Sequence, residues 1–160
     1  MRVRTAVGAS AGEVRLKLNP RHHADHRVAS GNGPEPDGET VAVPLVTIDE
    51  YLEERDCTTP VCFIKIDVQG YEPAVCYGAE RTLARNPGCS IALEYAPEAM
   101  KELGFRAGEL MEWLAARGYA ARGISKNGEL TEGIPAHLGK RGYADLLFTR
   151  PGTGLRPGGD

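Results

Sequence analysis

The chain has 160 residues, a formal net charge of −3 at pH 7 and 41% hydrophobic residues. This length suits one domain with a substantial core, and the weak negative charge gives no indication of a nucleic-acid or membrane-surface partner. No apolar run approaches the roughly 20 residues of a membrane helix, and the N-terminus lacks a signal-peptide core, which indicates a cytoplasmic protein.

The N-terminal part predicts two strands and a long loop. Residues 2–7 and 13–18 alternate polar and apolar side chains, as half-exposed strands do, and the glycines between them predict a turn. Residues 19–39 are polar, rich in Gly and Pro and without periodicity, which predicts a loop long enough to contact a substrate.

Three histidines, His22, His23 and His26, lie in this loop. Their spacing could suit a metal, but no carboxylate framework accompanies them, so we favour a solvated loop or one histidine that reaches a ligand. His26 is a candidate general base because an imidazole titrates near neutrality.

The next segment predicts a strand followed by a capped helix. Residues 40–46 are mostly apolar and β-branched, which favours a strand. Thr47 and Glu50 have the spacing of a capping box, in which each side chain bonds a backbone N–H at the start of a helix. The helix is predicted to end near Asp56.

The most informative stretch is the apolar run at 61–66. It predicts a strand buried on both faces, followed by Asp67, a turn at Gly70 and a helix over 73–85. Ligands of open α/β sheets bind beyond the carboxyl ends of the strands, where Asp67 would lie. Alternatively, Asp67 only caps the next helix.

A second buried strand, over 89–95, also contains an acidic residue near its end, Glu94. If the two strands are parallel neighbours, their carboxyl ends lie at one edge of the sheet. We therefore expect Asp67 and Glu94 to lie on the same rim. Alternatively, Glu94 is a solvated strand end.

The remaining elements complete an α/β domain. Residues 108–117 predict an amphipathic helix, and the ranges 119–124, 129–134 and 143–149 predict strands. This order favours a mostly parallel sheet with an antiparallel C-terminal strand. Residues 1–150 would form the domain and 151–160 a disordered tail.

The four cysteines show no Cys-x-x-Cys spacing. We interpret Cys57, Cys62, Cys76 and Cys89 as reduced thiols rather than zinc ligands. Cys62, in the apolar strand, and Cys76, in a helix, fit small buried residues.

Residues 63–72, Phe-Ile-Lys-Ile-Asp-Val-Gln-Gly-Tyr-Glu, resemble the signature of the FkbM-type methyltransferases, and Gly78-Ala79 follows it as in that family. Weaker similarities flank it in the same order: Ala6-Val-Gly8 with Gly12-Glu-Val14, then Val-Thr-Ile-Asp-Glu at 46–50, then Ile-Ala-Leu-Glu at 91–94. The resemblance covers roughly residues 3–149.

The resemblance implies a Rossmann-like, class I methyltransferase fold and methyl transfer from S-adenosylmethionine. The acceptor in such a family is usually a hydroxyl group of a sugar, polyketide or other natural product. Together with the loop histidines, the candidate site residues fall into three groups: Asp67, Glu94 and His26 as catalytic candidates, Asp67, Val68 and Gln69 as cofactor contacts, and Glu72, His22 and His23 as substrate contacts. No metal is implied.

The sequence departs from the family at its N-terminus. The first two strands and the Asp/Glu-x-Gly-x-x-x-Gly turn that cradles the cofactor have no counterpart, so the sheet is expected to lack its first two strands and to bind the cofactor weakly. A rival interpretation is a non-catalytic α/β module. Such a module would use the open edge of its sheet to associate with a partner chain, or with a second copy of itself as a homo-oligomer. Another Rossmann-like enzyme, such as a nucleotide-sugar enzyme, would need a similar glycine-rich turn.

Overall fold

The computed structural model describes residues 4–19, 27–29, 39–134, 138 and 142–152. Strands and helices alternate along most of this chain, which is therefore an α/β protein. In chain order the elements are β1 Ala6–Val7, β2 Gly12–Lys17, β3 Arg27–Val28, β4 Thr40–Val46, α1 Ile48–Glu53, β5 Phe63–Ile66, α2 Glu72–Tyr77, α3 Glu80–Arg85, β6 Ser90–Tyr95, α4 Pro97–Glu102, α5 Ala107–Ala116, β7 Ala120–Ile124, β8 Leu130–Glu132 and β9 Ala144–Thr149.

The described strands form two sheets. An N-terminal sheet has the order β1-β4-β2-β3, and a C-terminal sheet has the order β5-β6-β9-β7-β8. The expected antiparallel C-terminal strand is confirmed, because β9 runs antiparallel to both of its neighbours. The expectation that most strands pair in parallel is wrong for the C-terminal sheet. Among the described residues of this sheet, β5 and β6 form the one parallel pair of strands. The reason is that β9 lies between β6 and β7 and separates strands that run in the same direction.

The core lies between one face of the C-terminal sheet and the helices. Alternate strand residues point to opposite faces, and the inward set includes Ile66, Ile91, Leu93, Leu146 and Phe148. These side chains pack with apolar residues of α2 to α5: Val75, Cys76, Leu83, Met100, Leu110 and Leu114. Complete burial of each large apolar side chain stabilises the fold by about 1.5–3 kcal/mol.

Strand β5 differs from the sequence prediction. It pairs only with β6 among the described residues, so it is an edge strand rather than an inner one. It is buried on one face only: Ile66 is 4% exposed, whereas Phe63 is 48% exposed. Cys62, expected to be buried, is exposed, while Cys76 is buried as expected. The apolar run at 61–66, which Lys65 interrupts, therefore did not distinguish a half-exposed edge strand from a doubly covered one.

The helix predicted over 73–85 is two helices, α2 and α3, that meet at Gly78 and Ala79. A β-carbon on Gly78 would lie 2.0 Å from the carbonyl oxygen of Gly8, so only glycine fits this contact between the helix pair and the end of β1. The Gly78 carbonyl in turn accepts a hydrogen bond from the backbone N–H of Asp49. These tertiary contacts, which the local sequence does not encode, account for the interruption of the helix between α2 and α3.

Asp49 completes the junction by capping α3. Its buried carboxylate accepts hydrogen bonds from the backbone N–H groups of Arg81 (2.9 Å) and Thr82 (2.7 Å) and from the Thr82 hydroxyl (2.6 Å). The first N–H groups of a helix have no partner within the helix, and an acidic side chain satisfies them well. Asp49 thus ties α1 to α3.

The capping box at the start of α1 is confirmed, with a difference in detail. The Thr47 hydroxyl accepts the backbone N–H of Glu50 at 2.9 Å, as predicted. The Glu50 carboxylate, however, accepts a hydrogen bond from the Thr47 hydroxyl at 2.9 Å.

Three predicted features fall on or near the limits of the described residues. The loop over 19–39 contains the short strand β3, which sequence periodicity did not reveal. Its histidines lie outside the described residues, and so do residues 153–160 of the predicted tail.

No helix in the part of the chain that the structure describes is long and apolar enough to cross a membrane.

Candidate active site

Three carboxylates lie side by side at one end of the C-terminal sheet. Ile66 pairs with Leu93, so that Asp67, the next residue, lies beside Glu94. Glu94 in turn pairs with Asp145 of β9. Residues at paired positions of neighbouring strands point to the same face. We call Asp67, Glu94 and Asp145 the carboxylate row.

The row borders a cleft with a volume of about 350 Å³. The lining residues come from β5, β6, β7 and β9: Lys65, Ile66, Asp67, Ala92, Leu93, Glu94, Ile124 and Asp145. Three of these side chains are acidic and one is basic, so the lining carries a net negative charge. Such a cleft favours a positively charged ligand.

Asp67 is held in its charged form. The Lys65 ammonium donates a hydrogen bond to its Oδ2 atom at 2.8 Å, and both side chains are exposed. This bond holds the pKa of the Asp67 carboxyl below its usual range, and it raises the pKa of Lys65. Because Lys65 and Asp67 lie two residues apart, they point to the same side of the chain and can meet there.

Glu94 has the opposite environment. It is half-buried in β6, and burial raises the pKa of its carboxyl. The negative charges of Asp67, Glu72 and Asp145 raise this pKa further, whereas the positive charge of Arg27 opposes them. Two neighbouring carboxylates thus have pKa values displaced in opposite directions.

Gln69 connects the two. Its side-chain amide nitrogen Nε2 lies 3.2 Å from Oδ1 of Asp67 and 3.3 Å from Oε1 of Glu94. Two N–H groups can therefore bond to two carboxylates at once. This geometry agrees with the expectation that Asp67 and Glu94 lie together. The structure in addition places Gln69 between them.

Glu72 lies elsewhere than expected. Its side chain is completely buried, and its carboxylate accepts the backbone N–H groups of Val68 and Gly70. Burial raises the pKa of the Glu72 carboxyl, and these hydrogen bonds oppose the rise. The proposed substrate contact of Glu72 is therefore corrected, because this carboxylate faces the turn after β5 and does not line the cleft.

The remaining candidates are placed as follows. Val68 is half-buried and packs against the hydrophobic core, so that its backbone rather than its side chain is near the row. His22, His23 and His26 lie outside the described residues. Within the described ranges, no group of three His, Cys, Asp or Glu side chains has the arrangement of a metal site.

Asp145 was missed by the sequence reasoning. It is an exposed acid in an otherwise apolar strand, Ala144–Thr149, and an isolated acid of this kind usually marks only a solvated position. The strand pairing makes it significant, because β9 lies next to β6 and brings Asp145 opposite Glu94.

Comparison with known families gives one match. A model of the methyltransferase FkbM domain matches residues 3–121, which is 119 of the 160 residues. This range includes the N-terminal sheet, β5, β6 and the turn between β5 and α2. No curated protein and no solved structure matches the chain.

Proposed function

Because the chain belongs to the FkbM methyltransferase domain family, we propose that it transfers a methyl group from S-adenosylmethionine to a hydroxyl group of a small molecule, such as a sugar or another natural product. The family match supports methyl transfer in general. The choice of donor and of a hydroxyl acceptor rests on the resemblance of residues 63–72 to the family signature and on the chemistry of the cleft. A Rossmann-like arrangement of the C-terminal sheet is part of the same proposal.

The charge of the cleft fits this donor. S-adenosylmethionine carries a positive sulfonium and an ammonium group, and the lining of the cleft has three carboxylates and one ammonium. Attraction between opposite charges strengthens where water is partly excluded. We assign Asp67, which remains ionised beside Lys65, to hold the donor near its sulfonium.

Glu94 is the best candidate for the general base. A base works best when its pKa approaches the working pH, and the pKa of Glu94 is raised towards neutrality while that of Asp67 is lowered. Neighbouring carboxyls with pKa values displaced in opposite directions commonly divide acid–base and electrostatic roles between them. His26 stays a second candidate from the sequence.

The proposed chemistry is a direct displacement. When bound, the donor supplies an electrophilic methyl group on a positive sulfur. Glu94 would accept the proton that the acceptor hydroxyl loses when its oxygen takes the methyl group, and the donor would leave with a neutral sulfur. The walls of the cleft contribute by alignment, which lowers such barriers by about 7–11 kcal/mol.

The single observation that carries this proposal is the carboxylate row, with Gln69 bonded to both Asp67 and Glu94. Calorimetric titration of S-adenosylmethionine into the chain tests it. We expect weak but measurable binding, and still weaker binding of the demethylated product because its sulfur is neutral. No measurable heat with either compound contradicts the proposal.

The open edge of β5 favours one alternative, a non-catalytic module that associates with a second copy of the chain. Phe63 is 48% exposed on this strand, and β5 has a single partner among the described strands. An unprotected edge can pair with another strand. Sedimentation of the wild type and of Phe63→Lys tests this alternative: a dimer that the substitution dissociates supports it, and a wild type that is monomeric at high concentration contradicts it.

A further inference from the structure

The turn between β5 and α2 has an unusual backbone. Gln69 has a φ of 54° and Gly70 a φ of 100°, and both values lie in the left-handed region. Glycine adopts such angles freely, but for a residue with a β-carbon, such as Gln69, they carry a cost. Neighbouring contacts must therefore hold Gln69 in place.

One of these contacts is the close packing of Gly70 on α4. A β-carbon at Gly70 would lie 2.6 Å from the backbone carbon and oxygen of Ala99. The turn thus rests directly on the α4 backbone. This contact limits movement of the turn from one side.

The other contact is Glu72, whose side chain has 0% exposure. Its Oε1 accepts the N–H of Val68 at 3.1 Å, and its Oε2 accepts the N–H of Gly70 at 2.9 Å. The two bonded amides flank Gln69. A buried carboxylate that spans a residue in this way fixes the backbone on both sides of it.

We propose that Glu72 is a positioning residue, whose carboxylate holds the turn at 68–70 in the conformation that lets the Gln69 side chain bridge Asp67 and Glu94. Glu72 touches neither the cleft nor a reacting atom. It acts through Gln69, which donates to two members of the carboxylate row, Asp67 and Glu94. The proposal rests on the proposed function, because the row is the site assigned to donor binding and proton transfer.

The test compares Glu72→Asp with Gln69→Ala. Glu72→Asp keeps the negative charge but is one methylene shorter, so it cannot reach both amides. A hydrogen bond to a carboxylate stabilises its charged form, so loss of the Gln69 bond raises the titration midpoint of Glu94. Carboxyl NMR should detect this rise in both single variants, and no further rise in the double variant.

The control is Glu80→Asp, the same change at an exposed position in the first turn of α3, which should leave the Glu94 midpoint where it is. An unmoved Glu94 midpoint in Glu72→Asp or in Gln69→Ala would overturn the proposal. If the increases in the Glu94 midpoint simply add in the double variant, the proposal would also be overturned, because the two residues would then act separately.

A measurement on the wild type covers the case in which Glu72→Asp does not fold. Amide protons that donate to a carboxylate change their chemical shift when it is protonated. The amide protons of Val68 and Gly70 should therefore shift together as Glu72 titrates. Two different midpoints, or no shift in either proton, would overturn the proposal.

None of these measurements requires the methyl donor, so their failure is distinguishable from failure of the proposed function. The affinity for S-adenosylmethionine is measured in parallel. We expect it to fall several-fold in both Glu72→Asp and Gln69→Ala. A wild type that shows the NMR behaviour but no donor binding would contradict the proposed function and leave the role of Glu72 in the turn intact.

Discussion

Asp67 and Glu94 are chemically similar, yet their surroundings displace their pKa values in opposite directions. Lys65 donates to Asp67 and favours its charged form. Burial and nearby negative charges disfavour the charged form of Glu94. Gln69 lies between them and donates to both. Asp67 and Glu94 are therefore linked both through charge and through Gln69.

The coupling predicts a pH effect. Glu94 must lose its proton to act as a base, so methyl transfer should fall as the pH drops through its raised pKa. Asp67→Asn removes a negative charge beside Glu94 and frees Lys65, and both changes lower the pKa of Glu94. The acid limb of the pH profile, or the Glu94 midpoint in carboxyl NMR, should therefore move to lower pH.

The matched control for this prediction is Glu112→Gln, which removes the same charge from an exposed position on α5, across the sheet from the row. It should leave the Glu94 midpoint unchanged. A midpoint that moves equally in both variants would mean that the overall charge, and not Asp67, sets the pKa of Glu94.

Some of the site could be predicted from the sequence and some could not. Asp67 follows an apolar strand and Glu94 lies near the end of another, which are local signals, and Gln69 lies within the family-like segment. Asp145 becomes significant only through the pairing of β9 with β6. The role of Glu72 depends on its complete burial and on the direction of two backbone amides, neither of which a sequence pattern encodes.

At the scale of elements, the junction of α1, α2 and α3 depends on Asp49. Asp49→Ala would leave the N–H groups of Arg81 and Thr82 and the Thr82 hydroxyl without their acceptor. Loss of a helix cap together with unsatisfied buried donors should lower the free energy of unfolding by about 2–3 kcal/mol. Urea denaturation measures this change. Glu112→Ala, at an exposed position within α5, should have little effect, and equal losses in the two variants would contradict the capping role of Asp49.

Gly78 provides a second prediction at this scale. Gly78→Ala places a β-carbon against the carbonyl oxygen of Gly8, in backbone that cannot rotate away. We expect a loss of about 3 kcal/mol or more in the free energy of unfolding. Gly108→Ala, in the first turn of α5 where nothing lies within 4 Å, should be neutral or stabilising by up to about 1 kcal/mol. A Gly78→Ala variant that resists urea as well as the wild type would contradict the close contact between Gly78 and Gly8.

The elements themselves were mostly predictable, since the capping box, α5 and the strands other than β3 follow from local patterns. The break between α2 and α3 was not predictable, because residues 73–85 carry a continuous helical pattern. The break is fixed by contacts with Gly8 and Asp49, which lie far away in the sequence.

At the scale of the whole molecule, the alternation of strands and helices indicated an α/β fold, but it did not determine the strand order. The order β5-β6-β9-β7-β8 depends on which strands pair over long separations. The placement of β9 between β6 and β7 completes the carboxylate row. Among the described strands, β5 lies at the edge of the sheet next to the site. Donor binding and strand association are therefore separate outcomes that experiments can distinguish.

The most direct test compares the affinity of the wild type and of Asp67→Asn for S-adenosylmethionine by calorimetry, with Glu112→Gln as the charge control. Removing one charge next to the sulfonium should weaken binding about tenfold, which corresponds to about 1.4 kcal/mol, and the control should bind as the wild type does. Equal affinities of the wild type and Asp67→Asn would contradict a donor site at the carboxylate row.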